Sequence, residues 1–146
     1  MARGRTGGDE AEGQDGRGVV QIGEVAERLG LSSRTIRHYE DAGLVVPERT
    51  PGGFRLYSET DIDRIALVKR MKPLGFSLEQ MRDLLDVTDR LAVGEEDATL
   101  VARLQLFERA VADRAETLRE HLAVAREFAE QLRRRRLLVA ASQVGQ

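Results

Sequence analysis

Apolar residues in the first part of the chain repeat at helical spacing and are separated by turn residues. Segment 22–29 is apolar at its first, fourth, fifth and eighth positions, as one face of a short helix requires. Gly30 follows, where glycine commonly ends a helix, and Ser32 stands where its side chain can cap the next helix. The pattern predicts two short helices, 22–29 and Ser33 to about Ala42, joined by the tight turn of a helix-turn-helix.

A β-hairpin is predicted after the second helix. The apolar stretch 44–47 leads in, the stretch 54–57 leads out, and Thr50-Pro51-Gly52-Gly53 lies between them. Glycine at the turn can adopt the positive φ that tight hairpins need. Residues 19–21 are predicted as a further short strand. A hairpin after a helix-turn-helix makes a winged helix, in which the second helix enters the major groove of DNA and the wing contacts the backbone or the minor groove.

Two more helices are predicted from their capping residues. Ser58, with Asp61 three residues later, opens a third helix, which breaks at residues 73–76. Ser77 and Gln80 form a capping-box pattern at the start of a fourth. The fourth helix is expected to bury Leu78, Met81, Leu84 and Leu85.

A long helix is predicted over residues 100–136, which contain no glycine or proline. Apolar residues recur there at steps of three and four with one extra residue, close to a heptad repeat. The predicted dimerisation positions are Leu100, Leu104, Phe107, Val111, Leu118, Leu122 and Leu132. A helix of this length has no core of its own, so we expect it to pair with a second copy in a homodimer. The alternative is that it folds back on its own domain.

The chain is therefore predicted to be mainly α-helical. Its segments are a disordered tail (1–18), a winged helix-turn-helix domain (19–88), a connection (89–99), a dimerisation helix (100–136) and a short C-terminal tail (137–146). The first tail is rich in glycine and charge. A basic arm that enters a DNA groove through Arg3, Arg5 and Arg17 is the alternative for that tail.

Composition removes several classes of site. The chain of 146 residues has no cysteine, which excludes disulfides, thiolate metal sites and cysteine nucleophiles, and its two histidines exclude a three-histidine zinc site. No apolar run approaches the roughly 20 residues that cross a bilayer, and no secretion signal is recognisable. We therefore expect a cytoplasmic protein. No Ser-His-Asp set or phosphate loop is apparent, so we predict neither enzymatic activity nor a cofactor.

Positive charge is concentrated in the predicted winged helix. Residues 28–72 carry nine basic and six acidic side chains, a net of +3, whereas the whole chain has a net charge of −2. A local positive field is what a phosphate-binding face needs. The candidate DNA contacts are Ser33, Arg34, Thr35, Arg37, His38 and Tyr39 on the second helix, and Gly53, Arg55 and Tyr57 on the wing. The alternative is that the two helix arginines and His38 are ordinary solvated surface residues.

Five short segments in this order and spacing resemble the MerR family of bacterial transcription regulators. They are Ile22–Ala26, Thr35–Glu40, Gly43-Leu44, Gly53–Tyr57 and Leu74–Glu79. Positions 38 and 54 are more often tyrosine in that family. The resemblance implies an antiparallel coiled-coil dimer that binds an inverted repeat. By position it implies DNA contacts at Arg37, Tyr39, Arg55 and Tyr57, and a backbone contact at Lys72.

The same resemblance implies a mode of action. Family activators bind promoters whose −35 and −10 elements are too far apart. They bend and untwist the spacer, which realigns both elements for RNA polymerase. The effect on the polymerase is thus exerted through the DNA. A plain repressor is the alternative. The absence of cysteine excludes the thiolate metal sites and iron–sulfur clusters of some relatives. With roughly ten residues after the predicted helix, we expect no separate drug-binding domain. The sequence does not identify a small-molecule effector.

Three other segments have alternative interpretations. Residues 137–139 are apolar and are expected to pack on the partner's DNA-binding domain rather than to bind a ligand. The acidic residues 95–97 are expected to be solvated, with oxygen-ligand metal binding as the alternative. The arginine run 133–136 is expected to be a charged helix end, with contact to DNA or polymerase as the alternative.

Two further function classes remain. An architectural DNA binder or excisionase-like winged helix would explain the DNA-binding features but not the long helix. A coiled-coil adaptor or an enzyme without a role on DNA would predict no salt-dependent DNA affinity.

Overall fold

The computed structural model describes residues 18–145, which are mainly α-helical, as predicted. The elements in order are α1 (Ile22–Leu29), α2 (Ser33–Asp41), β1 (Glu48–Arg49), β2 (Arg55–Leu56), α3 (Glu59–Met71), a 3₁₀ turn (Lys72–Leu74), α4 (Leu78–Ala92) and α5 (Ala98–Val144). The chain divides into two compact units, one ending at Asp89 and the other beginning at Arg90. The predicted disordered tail lies outside the described residues, apart from Gly18.

Helices α1 and α2 form where the capping residues predict them. Gly30 adopts a φ of +64° after α1, and its N–H donates to the carbonyl of Ala26. The Oγ of Ser32 accepts the N–H of Thr35 at 3.1 Å and caps α2. The two helices contact each other, so the tight turn of a helix-turn-helix is present.

The wing is a two-stranded antiparallel hairpin whose strands are shorter than predicted and whose first strand begins later in the chain. Glu48 pairs with Leu56, and Arg49 pairs with Arg55. The predicted strand 44–47 is irregular instead. Two of its apolar residues are buried in the core, and the carbonyl of Leu44 accepts a hydrogen bond from a side chain of α3 rather than from a neighbouring strand. The predicted strand 19–21 is reduced to a single bridge between Val20 and Tyr57.

Reciprocal capping boxes start α3 and α4, as predicted. Ser58 donates its N–H to Asp61 Oδ2 at 3.0 Å and accepts the Asp61 N–H at 3.1 Å. Ser77 and Gln80 make the same pair of bonds at 2.8 and 3.1 Å. Satisfying the free backbone groups at both helix starts fixes where each helix begins.

The core of the first unit is apolar and lies among α1 to α4 and the base of the wing. Its buried members are Val25, Ile36, Tyr39, Leu44, Val45, Tyr57, Ile62, Ile65, Val68, Met71, Phe76, Met81, Leu85 and Val87. The predicted burial of Leu78 is wrong, because this side chain is 40% exposed at the first position of α4. Val87, which the sequence pattern did not single out, is buried instead.

The second unit is dominated by α5, which is longer than the predicted helix. Asp97 caps it by accepting the Thr99 N–H at 2.8 Å, and it continues to Val144, just before Gly145. At 1.5 Å per residue its 47 residues span about 70 Å. The predicted tail 137–146 is therefore largely helical. Within the described part of the chain, no helix is both long and apolar enough to cross a membrane.

The predicted apolar stripe of α5 is largely exposed in the single chain. Leu100 is fully buried, and Leu104 and Phe107 are half-buried. The four remaining dimerisation positions, Val111, Leu118, Leu122 and Leu132, are 44–50% exposed. Large apolar side chains left in water on one helix face commonly mark an interaction surface.

Candidate nucleic-acid interface

Helix α2 presents basic side chains on one face and anchors the opposite face in the core. Ile36 is fully buried and Tyr39 is 4% exposed, whereas Arg34, Arg37 and His38 are exposed. Among residues 18–145, neither of these arginines has a hydrogen bond or an ion pair. Their guanidinium groups therefore remain available to a ligand, and each offers the bidentate fork that fits guanine or phosphate.

Thr35 and Ser33, the two candidate contacts with hydroxyl groups at the start of α2, differ in how free their hydroxyls are to bind DNA. The hydroxyls of Thr35 and Ser32 lie 2.8 Å apart and share a hydrogen bond, so Thr35 takes part in capping the helix. Ser33 is partly exposed in the first turn. Both lie at the end of the helix that reaches base edges in helix-turn-helix proteins.

Tyr39 and Lys72 meet beside α2. The Nζ of Lys72 lies 5.6 Å from the centre of the Tyr39 ring, within the range of a cation–π contact. Burial raises the pKa of the Tyr39 hydroxyl. The two side chains, together with His38, border a mainly apolar depression of about 280 Å³. The structure therefore brings the predicted Lys72 next to the predicted contacts of α2.

The wing turn is built by Thr50 and Gly53. Gly53 adopts a φ of +84°, which favours glycine, and its N–H donates to the carbonyl of Thr50 at 2.9 Å. Gly53 itself is exposed. The tip of the wing is thus open to a ligand.

Glu40 joins the wing to α2. Its Oε2 accepts the Nε–H of Arg55 at 2.5 Å, and its Oε1 accepts an Nη2–H of Arg49 at 3.0 Å. The hydrogen bond to Glu40 raises the pKa of Arg55. The structure therefore places the predicted Arg55 in an ion pair. Neither Glu40 nor Arg49 was assigned a role from the sequence.

Tyr57 does not lie with the other candidate contacts. It is fully buried, burial raises its pKa, and its hydroxyl has no hydrogen-bond partner among the described residues. A side chain with no exposed surface cannot reach a phosphate, so this arrangement contradicts the DNA contact predicted for Tyr57. Its ring fills the core at the base of the wing instead.

Replacing Tyr57 by phenylalanine tests this correction. Removing a buried hydroxyl without a partner relieves a desolvation cost. We expect unchanged DNA affinity, and a free energy of unfolding that is unchanged or higher by up to about 1 kcal/mol. Urea unfolding and a DNA titration measure the two effects. A clear loss of DNA affinity in a stable Tyr57→Phe protein would show that the hydroxyl reaches DNA after all.

Two of the three acidic residues 95–97, Glu95 and Asp97, interact with neighbouring side chains and backbone. Arg90 Nε donates to Glu95 Oε2 at 2.8 Å, and bonds from Thr99 lower the pKa of Asp97. Across residues 18–145 no group of three or more histidine, aspartate and glutamate side chains is arranged to hold a metal ion. Glu95 therefore pairs with Arg90, and Asp97 caps α5.

The winged-helix unit matches a known family. The model of the MerR HTH family regulatory proteins matches residues 20–88. The HTH-type transcriptional regulator HmrR of Rhizobium leguminosarum bv. viciae is 42% identical over 89 residues, 61% of this chain and 69% of that protein. The mercuric resistance operon regulatory protein of Bacillus cereus is 48% identical over 71 residues, 48% of this chain and 54% of that protein.

A solved structure is similar as well. The crystal structure of HiNmlR, a MerR family regulator lacking the sensor domain and bound to promoter DNA, aligns with a TM-score of 0.56 at 28% identity. The alignment covers 71% of this chain and 78% of that chain. These similarities agree with the helix-turn-helix and wing described above. We conclude that this chain belongs to the MerR family of DNA-binding transcriptional regulators.

Proposed function

We propose that the chain is a homodimeric, sequence-specific regulator that binds an inverted repeat, its operator, in a promoter. One observation carries the proposal: Arg34 and Arg37 extend from α2 with no partner among residues 18–145, on the helix that Glu40 ties to the wing. Exposed guanidinium groups on the second helix of a helix-turn-helix are suited to reading base edges in the major groove. The promoter-DNA complex of HiNmlR supports this use of the fold.

The dimer is proposed from the exposed stripe of α5. Four of its large apolar side chains are 44–50% exposed in the single chain, and pairing with a second copy removes them from water. A closed twofold pair repeats the same face on both chains. The two α2 helices then read two copies of one half-site, and this symmetry makes the operator an inverted repeat. We propose that the two α5 helices run antiparallel.

Activation is proposed to act through the shape of the DNA. A dimer that bends and untwists an overlong spacer brings the −35 and −10 elements into register for RNA polymerase. Bending a DNA site of about 20–30 base pairs by 40–90° costs about 1–6 kcal/mol by elastic estimates, and the contacts that the bend permits offset this cost. The proposal includes no cofactor and no catalytic step.

Fluorescence anisotropy with the DNA upstream of the protein's own gene tests the proposal. The titration runs at several salt concentrations against a scrambled duplex of equal length. Tight, selective and salt-dependent binding, followed by a footprint on an inverted repeat in a promoter spacer, is the expected result. Salt-dependent binding without selectivity on any promoter fragment would favour an architectural binder, and no binding at low salt would favour an adaptor.

Replacing Lys72 by alanine is expected to weaken DNA binding without changing selectivity. Lys72 is an exposed ammonium group beside Tyr39, and a lysine acts on phosphate as a point charge. The slope of log affinity against log salt should become shallower by about 0.9 for each phosphate that the variant no longer neutralises. Titrations of operator and scrambled DNA at four salt concentrations measure it. A changed ratio between the two DNAs would assign Lys72 to base reading instead.

A further inference from the structure

One carboxylate holds both strands of the wing. The side chain of Glu40, near the end of α2, is 18% exposed and accepts a hydrogen bond from each of two arginines. Arg49 lies in β1 and Arg55 in β2, and these two residues are register partners. Arg49 also donates through Nη1 to the carbonyl of Gly53 at 3.2 Å. Strand β1, strand β2 and the turn are therefore all linked to Glu40.

The outer part of the wing has little else to hold it. Each strand has two residues, and an isolated hairpin of that size is marginal in water. Phe54, at the end of the turn, is 64% exposed, so apolar packing does not fix the tip. Tyr57 anchors only the base of the wing. The orientation of the outer wing therefore depends on the contacts of Glu40.

Glu40 also leaves donors free on both arginines. Arg55 uses Nε for the carboxylate, and its two Nη groups have no partner among residues 18–145. A guanidinium has five N–H donors, so Arg49 likewise has donors left after its two bonds. Phosphate is a strong acceptor for such donors. The carboxylate thus fixes two guanidinium groups while part of each remains available.

We propose that Glu40 is a positioning residue, which sets the wing against the DNA-reading helix and presents Arg49 and Arg55 to the DNA backbone. This proposal rests on the proposed function and adds Arg49 to the DNA-contacting residues. It gives a positioning role to an acidic side chain that lies in the proposed binding surface for DNA, which is itself a polyanion. Electrostatics alone gives Glu40 the opposite effect, because a negative charge there repels phosphate.

The two effects separate in Glu40→Gln, which removes one negative charge per chain. If Glu40 acted only by its charge, the variant would bind every DNA more tightly. If it positions the wing, the backbone contacts of the wing form only when α2 is seated on the operator. Affinity for scrambled DNA is then unchanged or higher, while affinity for the operator falls about tenfold, as expected when a charge-assisted hydrogen bond is removed. Glu40→Ala, which removes both acceptors, should lower operator affinity at least as far.

Glu48→Gln is the matched control. Glu48 lies in β1 and is exposed, and its side chain has no hydrogen bond or ion pair among the described residues. The Glu48→Gln substitution changes the net charge by the same amount as Glu40→Gln. The selectivity of the Glu48→Gln protein for the operator should stay at the wild-type value. Equal selectivity in the Glu40→Gln and Glu48→Gln proteins would overturn the proposal.

Hydrogen exchange gives a readout that needs no DNA. The N–H of Thr50 donates to the carbonyl of Phe54 at 2.9 Å across the turn, so its exchange reports opening of the wing. We expect about tenfold faster exchange at Thr50 in Glu40→Gln than in Glu48→Gln. Unchanged exchange would overturn the positioning role. If the wild-type protein showed no DNA selectivity, the proposed function would fail, and the exchange result would still decide the role of Glu40.

Discussion

Replacing Arg37 by alanine is expected to lower operator affinity about 100-fold while leaving the free energy of unfolding unchanged. Arg37 is exposed in the middle of α2 and has no partner among residues 18–145, so its removal breaks no interaction within the folded chain. A bidentate arginine–base pair contributes about 1–3 kcal/mol. Both chains of the dimer lose it, and about 1.4 kcal/mol from each gives the 100-fold loss.

Anisotropy titrations on operator and scrambled DNA measure this effect. Arg109→Ala is the control, because it removes the same charge from an exposed residue of α5 that also has no partner in the described part of the chain. We expect Arg109→Ala to keep the operator preference and Arg37→Ala to lose it. Equal operator affinity in the Arg37→Ala and wild-type proteins would mean that α2 is not the reading helix.

Leu118→Glu is expected to convert the protein to a monomer at micromolar concentration. Leu118 is 49% exposed in the single chain and lies within the predicted stripe of α5. Burying a fully exposed leucine contributes about 1.5–3 kcal/mol. Pairing supplies about half of this at Leu118, which is already half-buried, and the twofold pair loses it twice. It also gains two carboxylates at the interface. The dimer should therefore weaken more than 100-fold, and operator affinity should fall with it.

Sedimentation velocity at several concentrations measures the association. Val124→Glu is the matched control, since Val124 is 64% exposed on the same helix but is not one of the predicted dimerisation positions. It should sediment as the wild type does. A wild-type protein that sediments as a monomer, or a Leu118→Glu protein that stays dimeric, would contradict the proposed interface.

Local signals in the sequence were enough to place most of the helices. Capping residues and glycines act within a few positions of the helix ends they determine, so the limits of α1 and the starts of α2, α3 and α4 were predictable. The end of α5 was less predictable from the sequence. Sequence without glycine or proline continues past residue 136, and the first glycine after the start of α5 is Gly145.

The wing was harder to predict because its pairing depends on distant residues. A short apolar run can be a strand or a buried irregular segment, and periodicity does not separate the two. Leu44 and Val45 are buried without joining the sheet, and β1 begins at Glu48, directly after the apolar run 44–47. The burial of Tyr57 likewise depends on its pairing with Val20, 37 positions earlier in the chain.

The role of Glu40 follows from the same register. Once Arg49 and Arg55 are known to be partners, two like charges stand opposite each other, which is destabilising unless an acid lies between them. In the predicted hairpin, with strands at 44–47 and 54–57, Arg49 lies outside both strands, so the two arginines do not stand opposite each other. Glu40 then counts only as an acid within a basic segment. A correct register would have pointed to an anion at this place.

The half-exposed leucines of α5 have a consequence for the dose response of the promoter. In the proposed regulator, a single chain leaves them in water and only a pair of chains binds the whole operator. Below the dissociation constant of the dimer, the concentration of dimers varies as the square of the chain concentration. Doubling the rate of synthesis then gives about four times as much binding-competent protein. Operator occupancy would follow expression level more steeply than it would with a monomeric reader.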